Sequence, residues 1–259
     1  MKTLTAILMG ILMAATVAQA KIQTKTVEYK QGDVTLEGYL AWDDATPGKR
    51  PGVLVIHEWT GLGSYVKMRC EKLAALGYVA FGADIYGKGV RPTTPQDAGL
   101  QAGIYSKDRA LMRARAIAGL DQLKAQPNVD TTKIAAIGYC FGGKCALELA
   151  RSGANIAGVV SFHGALDTPT PADARNIKCK ILALHGAADP FVTPDIVNGF
   201  EKEMTDAGVD WQLIKYSGAV HAFTNPDAGN DPSNGAAYNA KADARSWEAM
   251  KQFFAEIFK

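Results

Sequence analysis

Ile134-Ala135-Ala136-Ile137-Gly138-Tyr139-Cys140-Phe141-Gly142-Gly143 is the stretch of sequence that decides the fold. Its apolar start is typical of a buried strand, and the residues after it have helical spacing. A strand that enters a helix through Gly-x-Cys-x-Gly is a nucleophile elbow with sulfur in place of oxygen. So tight a turn is tolerated only if Gly138 and Gly142 keep side chains out of the way. The pattern predicts that Cys140 is a nucleophile at a helix N-terminus, where the dipole favours a thiolate. A buried structural cysteine is the alternative.

Short apolar runs and amphipathic helical stripes alternate on both sides of this elbow, which is typical of a parallel sheet covered on both faces. The runs are Val53–Ile56, Tyr78–Ala83, Ile134–Ile137, Ile156–Phe162, Ile181–Leu184 and Gln212–Tyr216. Helices are predicted from a Ser64 cap to Gly77, over Asp108–Ala125, over Thr193–Gly208 and from about Ala240. Before them, Gln23–Glu28 and Thr35–Trp42 alternate apolar and polar residues, as in an antiparallel hairpin.

We therefore predict the α/β-hydrolase class of fold: a mostly parallel central sheet with an antiparallel N-terminal hairpin and helices on both faces. Residues 21–259 are expected to form a single domain. Residues 1–20 have the pattern of a secretory signal peptide, with Lys2 at the start, an apolar stretch from Ala6 to Ala15, and Ala18-Gln19-Ala20 before the cleavage point. That stretch is too short to span a bilayer. We expect an exported protein, periplasmic or secreted, without stable membrane insertion; an uncleaved anchor is the alternative.

Charge and cysteine content bear on two questions: nucleic-acid binding and disulfide formation. The chain has 28 basic and 26 acidic side chains, so nothing indicates nucleic-acid binding. Four cysteines in an exported protein raise the possibility of disulfides. Cys140 and Cys145 point in different directions on one predicted helix, and a pair between Cys70 and Cys179 stays open. We expect no disulfide framework and a monomeric protein.

Candidates for the base and its orienting acid follow Cys140 along the chain. In this class of fold the order is nucleophile, acid, histidine. Asp189 and His221 each come just after a predicted strand, at the edge where open α/β sheets place their ligands. Asp167 stays as a rival acid, whereas Asp84 comes too early in the chain.

Three further histidines end or follow predicted strands and are able to line the same cleft. They are His57, His163 and His185. His163 and His185 are each followed by glycine in a tight turn, so we expect a structural or supporting role for them.

The elbow, His57-Glu58-Trp59-Thr60-Gly61, Asp84-Ile85-Tyr86 and the downstream Asp and His together resemble the dienelactone hydrolase family. The resemblance runs from about Val27 to the C-terminus. It implies that Cys140 is the nucleophile, His221 the base and Asp189 its orienting partner. It further implies that Glu58 contacts the resting thiol and helps it to ionise, and that the backbone N–H groups of Phe141 and Trp59 form an oxyanion hole. No cofactor and no metal are implied.

The expected activity is hydrolysis of a small ester or lactone through a thioester intermediate. An acyltransferase or peptidase with the same triad, or a non-catalytic protein that binds a small ligand, are the alternatives. One departure from the family concerns the substrate, because its founding members bind the dienelactone carboxylate with arginines. The corresponding stretches, Pro95–Tyr105 and the residues just before His221, contain none. A cluster of Lys107, Arg109, Arg113 and Arg115 could substitute for them, but a charged helix face is usually just solvated, and this is the interpretation we favour.

Overall fold

A computed structural model describes residues 21–259, and the predicted signal segment lies outside the described residues. The eight strands are β1 (Ile22–Gln31), β2 (Val34–Asp43), β3 (Arg50–Ile56), β4 (Val79–Ala83), β5 (Val129–Tyr139), β6 (Gly158–Phe162), β7 (Lys180–Gly186) and β8 (Trp211–Tyr216). They form one sheet in the order β1-β2-β4-β3-β5-β6-β7-β8. The strands from β3 to β8 are parallel to one another, whereas β1 and β2 pair antiparallel and β2 joins β4 antiparallel. The predicted hairpin and parallel sheet are confirmed.

Helices cover both faces of this sheet. They are α1 (Ser64–Ala75), α2 (Pro95–Lys107), α3 (Arg109–Lys124), α4 (Phe141–Arg151), α5 (Pro194–Asp206) and α6 (Ala240–Ile257), with short 3-10 turns at Pro171–Asn176, Pro226–Ala228 and Pro232–Asn234. Helices α1 and α6 pack on one face, and α2 to α5 pack on the other. Within residues 21–259 no helix is both long and apolar enough to cross a membrane.

Helix α2 was not predicted from the sequence. It begins with Pro95 after Thr94, whose hydroxyl accepts a hydrogen bond from the Asp97 backbone N–H at 3.1 Å. It lacks an apolar stripe, because Ala98 and Tyr105 are its only buried residues. A capping signal without apolar periodicity is a weak helix signal, so this region was left unassigned.

The predicted cap of α1 is wrong by one position. Gly63 is the N-cap and Ser64 is the first helical residue, and no side chain caps this helix. Glycine is accepted at an N-cap because it adopts the required extended conformation freely.

The two faces of the sheet form separate apolar clusters. Cys179 is buried in the cluster on the α2 to α5 side, and Cys70 is buried in the cluster on the α1 and α6 side. The sheet lies between them, so the Cys70 to Cys179 pair that the sequence left open is excluded. All four cysteines of the described chain are free.

A buried ion network joins α4 to α5. Arg151 is fully buried and donates from Nε and Nη2 to the two carboxylate oxygens of Glu203, both at 2.8 Å. Its Nη1 donates to Glu148, also fully buried, at 3.1 Å. The guanidinium is therefore the counter-charge of two carboxylates that have little access to water.

Candidate active site

The elbow between β5 and α4 holds Cys140 in a strained conformation. Cys140 has φ 54° and ψ −117° and is the N-cap of α4. A Cβ on Gly138 would lie 1.9 Å from the Gly142 carbonyl oxygen, and a Cβ on Gly142 would lie 2.2 Å from the carbonyl oxygen of Ile56. Neither position has room for a side chain, so both glycines are required for the backbone that presents the sulfur.

Two loops at the carboxyl edge of the sheet bring an aspartate and a histidine to this sulfur. Asp189 follows β7 and His221 follows β8, 32 residues later. His221 Nδ1 lies 2.8 Å from Asp189 Oδ2, and His221 Nε2 lies 3.0 Å from Cys140 Sγ. Asp189 is fixed in turn, because its Oδ1 accepts the backbone N–H of Phe191 at 2.8 Å. The structure thus brings all three predicted residues into one hydrogen-bonded line.

The surroundings of His221 favour its charged form. Burial disfavours an imidazolium, but the negative charge of a Cys140 thiolate and the hydrogen bond to Asp189 outweigh it and raise the pKa of His221 to about 10. The surroundings therefore stabilise an imidazolium form of His221 next to the Cys140 sulfur.

Glu58 lies at the start of the loop after β3 and is 7% exposed. Its Oε2 accepts a hydrogen bond from Asn225 Nδ2 at 2.7 Å. Burial raises the pKa of Glu58 to about 7, with Asn225 and His221 acting in the opposite direction. Glu58 and Cys140 line the same cavity, but in this conformation the sulfur faces His221 and the carboxylate faces Asn225. Sequence reasoning missed Asn225, whose only signal was its position four residues after His221.

The two expected oxyanion donors lie on neighbouring segments. Phe141 is the first residue of α4, and Trp59 lies in the loop that follows β3. The start of α4 packs directly against the end of β3, as the contact between Gly142 and Ile56 shows. Within residues 21–259 neither backbone N–H has a hydrogen-bond acceptor. Of the two residues, Trp59 lines the cavity, and Phe141 directly follows Cys140, which also lines it.

His163 supports the elbow from behind. Its Nδ1 accepts the backbone N–H of Cys140 at 3.1 Å, so its Nε2 carries the proton and donates to Thr224 Oγ1 at 2.7 Å. Burial holds the pKa of His163 well below its ordinary value. A neutral His163 therefore supports the backbone of Cys140, whose N–H also donates to the Phe162 carbonyl oxygen at 3.0 Å.

A buried arginine continues this support to the last helix. Arg69 on α1 donates to the Thr224 carbonyl oxygen at 2.7 Å and to Asp243 Oδ1 on α6 at 2.6 Å. Its guanidinium also lies 5.1 to 5.4 Å from the ring centroids of Tyr65, Tyr139 and Trp247. Charge and aromatic contacts together hold a guanidinium that is 2% exposed.

The remaining candidates lie outside the hydrogen-bonded line. His57 donates from Nδ1 to the Glu58 carbonyl oxygen at 2.6 Å and accepts the Ile85 N–H at Nε2. Asp84 accepts backbone N–H groups of its own turn, whereas Asp167 is half-exposed and pairs with Arg109 and Lys144. His185 is buried beside the site, and its Nδ1 has no partner among the described residues.

The exposed parts of Cys140 and His221 lie in one cavity, which has a volume of about 900 Å³. Its lining includes Cys140, His221, Glu58, Trp59 and Phe191. Within the described chain, no group of three or more His, Cys, Asp or Glu side chains is placed to hold a metal ion.

The parallel sheet, the elbow and the cavity at the carboxyl edge define the class of α/β-hydrolases. The sequence model of the dienelactone hydrolase family matches residues 36–258, so the chain belongs to the dienelactone hydrolase family. Membership of this family makes the protein a hydrolase of esters or lactones.

Similar proteins agree with this assignment. One relative is a protein of Aquifex aeolicus whose name describes it as a carboxymethylenebutenolidase. It is 33% identical over 90% of this chain and 98% of its own length. The solved structure of m3DLH is 41% identical, with a TM-score of 0.89 over 92% of this chain and 99% of that one. P91, a dienelactone hydrolase-like promiscuous phosphotriesterase from metagenomic libraries, is also 41% identical, with a TM-score of 0.87 over the same shares.

Proposed function

We propose that this hydrolase cleaves its substrate with a Cys140, His221 and Asp189 triad through a thioester intermediate. The observation that carries the proposal is the continuous line from Asp189 through His221 to the Cys140 sulfur, with contacts of 2.8 and 3.0 Å. A nucleophile in hydrogen-bond reach of a base, itself oriented by a third group, is the arrangement that covalent catalysis requires.

In the first half of the reaction, the Cys140 thiolate attacks the ester carbonyl carbon and a C–S bond forms. The negative charge that develops on oxygen is received by the N–H groups of Phe141 and Trp59; losing one such donor typically costs about 3 kcal/mol of transition-state stabilisation. The ester C–O bond then breaks, and the leaving alkoxide takes the proton of the His221 imidazolium. The product is an alcohol, or the ring-opened hydroxyl end of a lactone.

In the second half, His221 removes a proton from water, and the resulting hydroxide adds to the thioester carbonyl. The C–S bond breaks, the acid leaves, and the thiolate is restored beside the imidazolium. Glu58 lines the same cavity as Cys140, and its pKa is raised to about 7. We therefore assign to Glu58 the exchange of a proton with Cys140 between turnovers.

The test compares the wild type with Cys140→Ala and His221→Ala on a 4-nitrophenyl ester. Cys179→Ala is the matched control, because it removes a thiol far from the cavity. Turnover should fall by at least about a thousandfold in the first two variants and stay near wild type in the control. Turnover that survives in both site variants contradicts the triad. If every form is inactive on esters and lactones, the non-catalytic alternative is supported.

Alkylation locates the reactive thiol independently of turnover. Burial raises the pKa of the Cys179 thiol to about 12 and holds those of Cys70 and Cys145 above their usual range. Iodoacetamide at neutral pH should therefore modify Cys140 alone, as measured by peptide mass spectrometry. Labelling spread over the buried thiols contradicts the assignment.

A second candidate reaction is hydrolysis of a phosphotriester, the activity named for P91 at 41% identity over nearly the whole chain. The same thiolate would attack phosphorus and displace the alcohol, and water would then release the phosphodiester. Turnover of 4-nitrophenyl diethyl phosphate that disappears in Cys140→Ala supports it. Turnover that persists in Cys140→Ala contradicts it.

We also propose that the mature chain begins at Lys21 and is exported. The backbone nitrogen of Lys21 donates to Asp43 Oδ1 at 3.2 Å, and Asp43 is 6% exposed. After cleavage this nitrogen would be an ammonium, and a buried carboxylate is a favourable partner for it.

A further inference from the structure

The charged groups in the active-site cavity are acidic apart from the histidine. Among the described residues that line it there is no lysine and no arginine. Glu58 lies on its wall, and Asp227 lies at its mouth in the 3-10 turn Pro226–Ala228. The carboxylate of Asp227 is exposed. The turn is stabilised by the backbone N–H of Asp227, which donates to Asn225 Oδ1 at 2.9 Å.

The positive charge of His221 is already matched. Its two ring nitrogens face Asp189 and the Cys140 sulfur, at 2.8 and 3.0 Å. A carboxylate on a substrate would therefore have to compete with two built-in partners for this charge. No lysine, no arginine and no second histidine lines the cavity among the described residues.

Cations near the site are committed elsewhere. Arg69 lies behind the wall with Asp243, and Arg109 pairs with Asp167. Arg113 pairs with Glu148 and Asp173 at 2.7 Å. The basic cluster that the sequence offered as a carboxylate-binding substitute therefore does not line the cavity.

Most of the remaining lining surface is apolar, and it includes two large exposed aromatic rings. Trp59 is 38% exposed and Phe191 is 58% exposed, and the Phe191 ring stands edge-on to His221 at 5.6 Å between centroids. Exposed aromatic side chains around a concave site are the usual binding surface for apolar parts of a ligand.

We propose that this cavity selects electroneutral, hydrophobic esters and discriminates against esters that carry a carboxylate, with Asp227 at the mouth as a specificity-determining residue. The inference rests on the proposed function, because it concerns the substrates of the Cys140 site. Like charges in a partly desolvated cleft repel each other, and we expect this repulsion to change the rate constant by about tenfold.

The experiment uses three 4-nitrophenyl esters of equal acyl length: the hexanoate, the monoadipate and the methyl-capped adipate. The monoadipate carries one terminal carboxylate, and the methyl cap removes that charge while keeping the polar group. For the wild type we expect kcat/KM for the hexanoate and the capped adipate to exceed that for the monoadipate by about tenfold.

Asp227→Asn should reduce this ratio by at least about threefold, because it removes charge without changing shape. Asp231→Asn is the matched control: it lies in the same loop, outside the cavity lining, and its ratio should equal that of the wild type. Thermal unfolding of both variants verifies that they fold.

Equal or faster hydrolysis of the monoadipate by the wild type overturns the inference and leaves the proposed function standing. An unchanged ratio in Asp227→Asn overturns the role of Asp227. If neither neutral ester is hydrolysed in a Cys140-dependent manner, the proposed function fails and the inference fails with it.

Discussion

Replacing Glu58 with glutamine should make the protein more stable at neutral and alkaline pH. The ordinary pKa of this carboxyl is 4.5, and burial raises it to about 7 in the folded protein. Below pH 4.5 both states are protonated and the carboxyl costs nothing. Between pH 4.5 and 7 the unfolded chain loses its proton first, so stability is lost; above pH 7 the loss is constant. At about 1.4 kcal/mol for each pKa unit, the full cost is about 3 kcal/mol.

Glutamine avoids this cost and keeps an oxygen that accepts from Asn225. The measurement is urea unfolding of wild type and Glu58→Gln at several pH values from about 4.5 to 8. The difference in unfolding free energy should grow by about 3 kcal/mol in favour of the variant across this range. Glu248→Gln, an exposed carboxyl on α6, is the control and should change by a few tenths of a kcal/mol. A difference for Glu58→Gln that does not depend on pH refutes the reasoning.

Four further outcomes are expected. Gly138→Ala should destabilise the fold by more than about 3 kcal/mol, because its Cβ would lie 1.9 Å from a carbonyl oxygen. Gly199→Ala on α5 has open space and should stabilise by about 0.5 to 1 kcal/mol; similar thermal shifts in the two variants would contradict the packing argument. Arg151→Ala should cost about 3 to 5 kcal/mol in urea unfolding, since Glu203 then stays buried without its counter-charge; a loss below about 1 kcal/mol would argue against this role. Intact mass of protein from the periplasm should correspond to a chain beginning at Lys21, and retention of the leader would contradict export.

The strands and the elbow were accessible from the sequence because both have local signals. Buried parallel strands are continuous apolar runs, and the spacing of glycines around Cys140 is the local signature of a nucleophile elbow. Helix α2 was not accessible, because its outward face carries Leu100 and Ile104 and its inward face has few apolar residues. Tertiary packing stabilises α2, and the local sequence pattern gives no signal for that packing.

Within the candidate site, too, residues with local sequence signals were accessible and residues that meet through long-range contacts were not. Chain order and position after a strand were enough to choose Asp189 and His221. The partners that hold the site together were not accessible, because they act across long separations: His163 and Thr224 are 61 residues apart, and Glu58 and Asn225 are 167 apart. Which loop residues meet is decided by how the loops close over the sheet edge, and a single sequence carries no signal for that.

The hydrogen-bond chain from Asp243 through Arg69, Thr224 and His163 to Cys140 has a consequence for synthesis of the protein. The ribosome makes the sulfur-bearing elbow near the middle of the chain, but the anchor for its support lies on the last helix. A nascent polypeptide that stops short of α6 therefore lacks Asp243, the outer end of this hydrogen-bond chain. We expect this hydrogen-bond chain to be complete only when translation has reached the last helix.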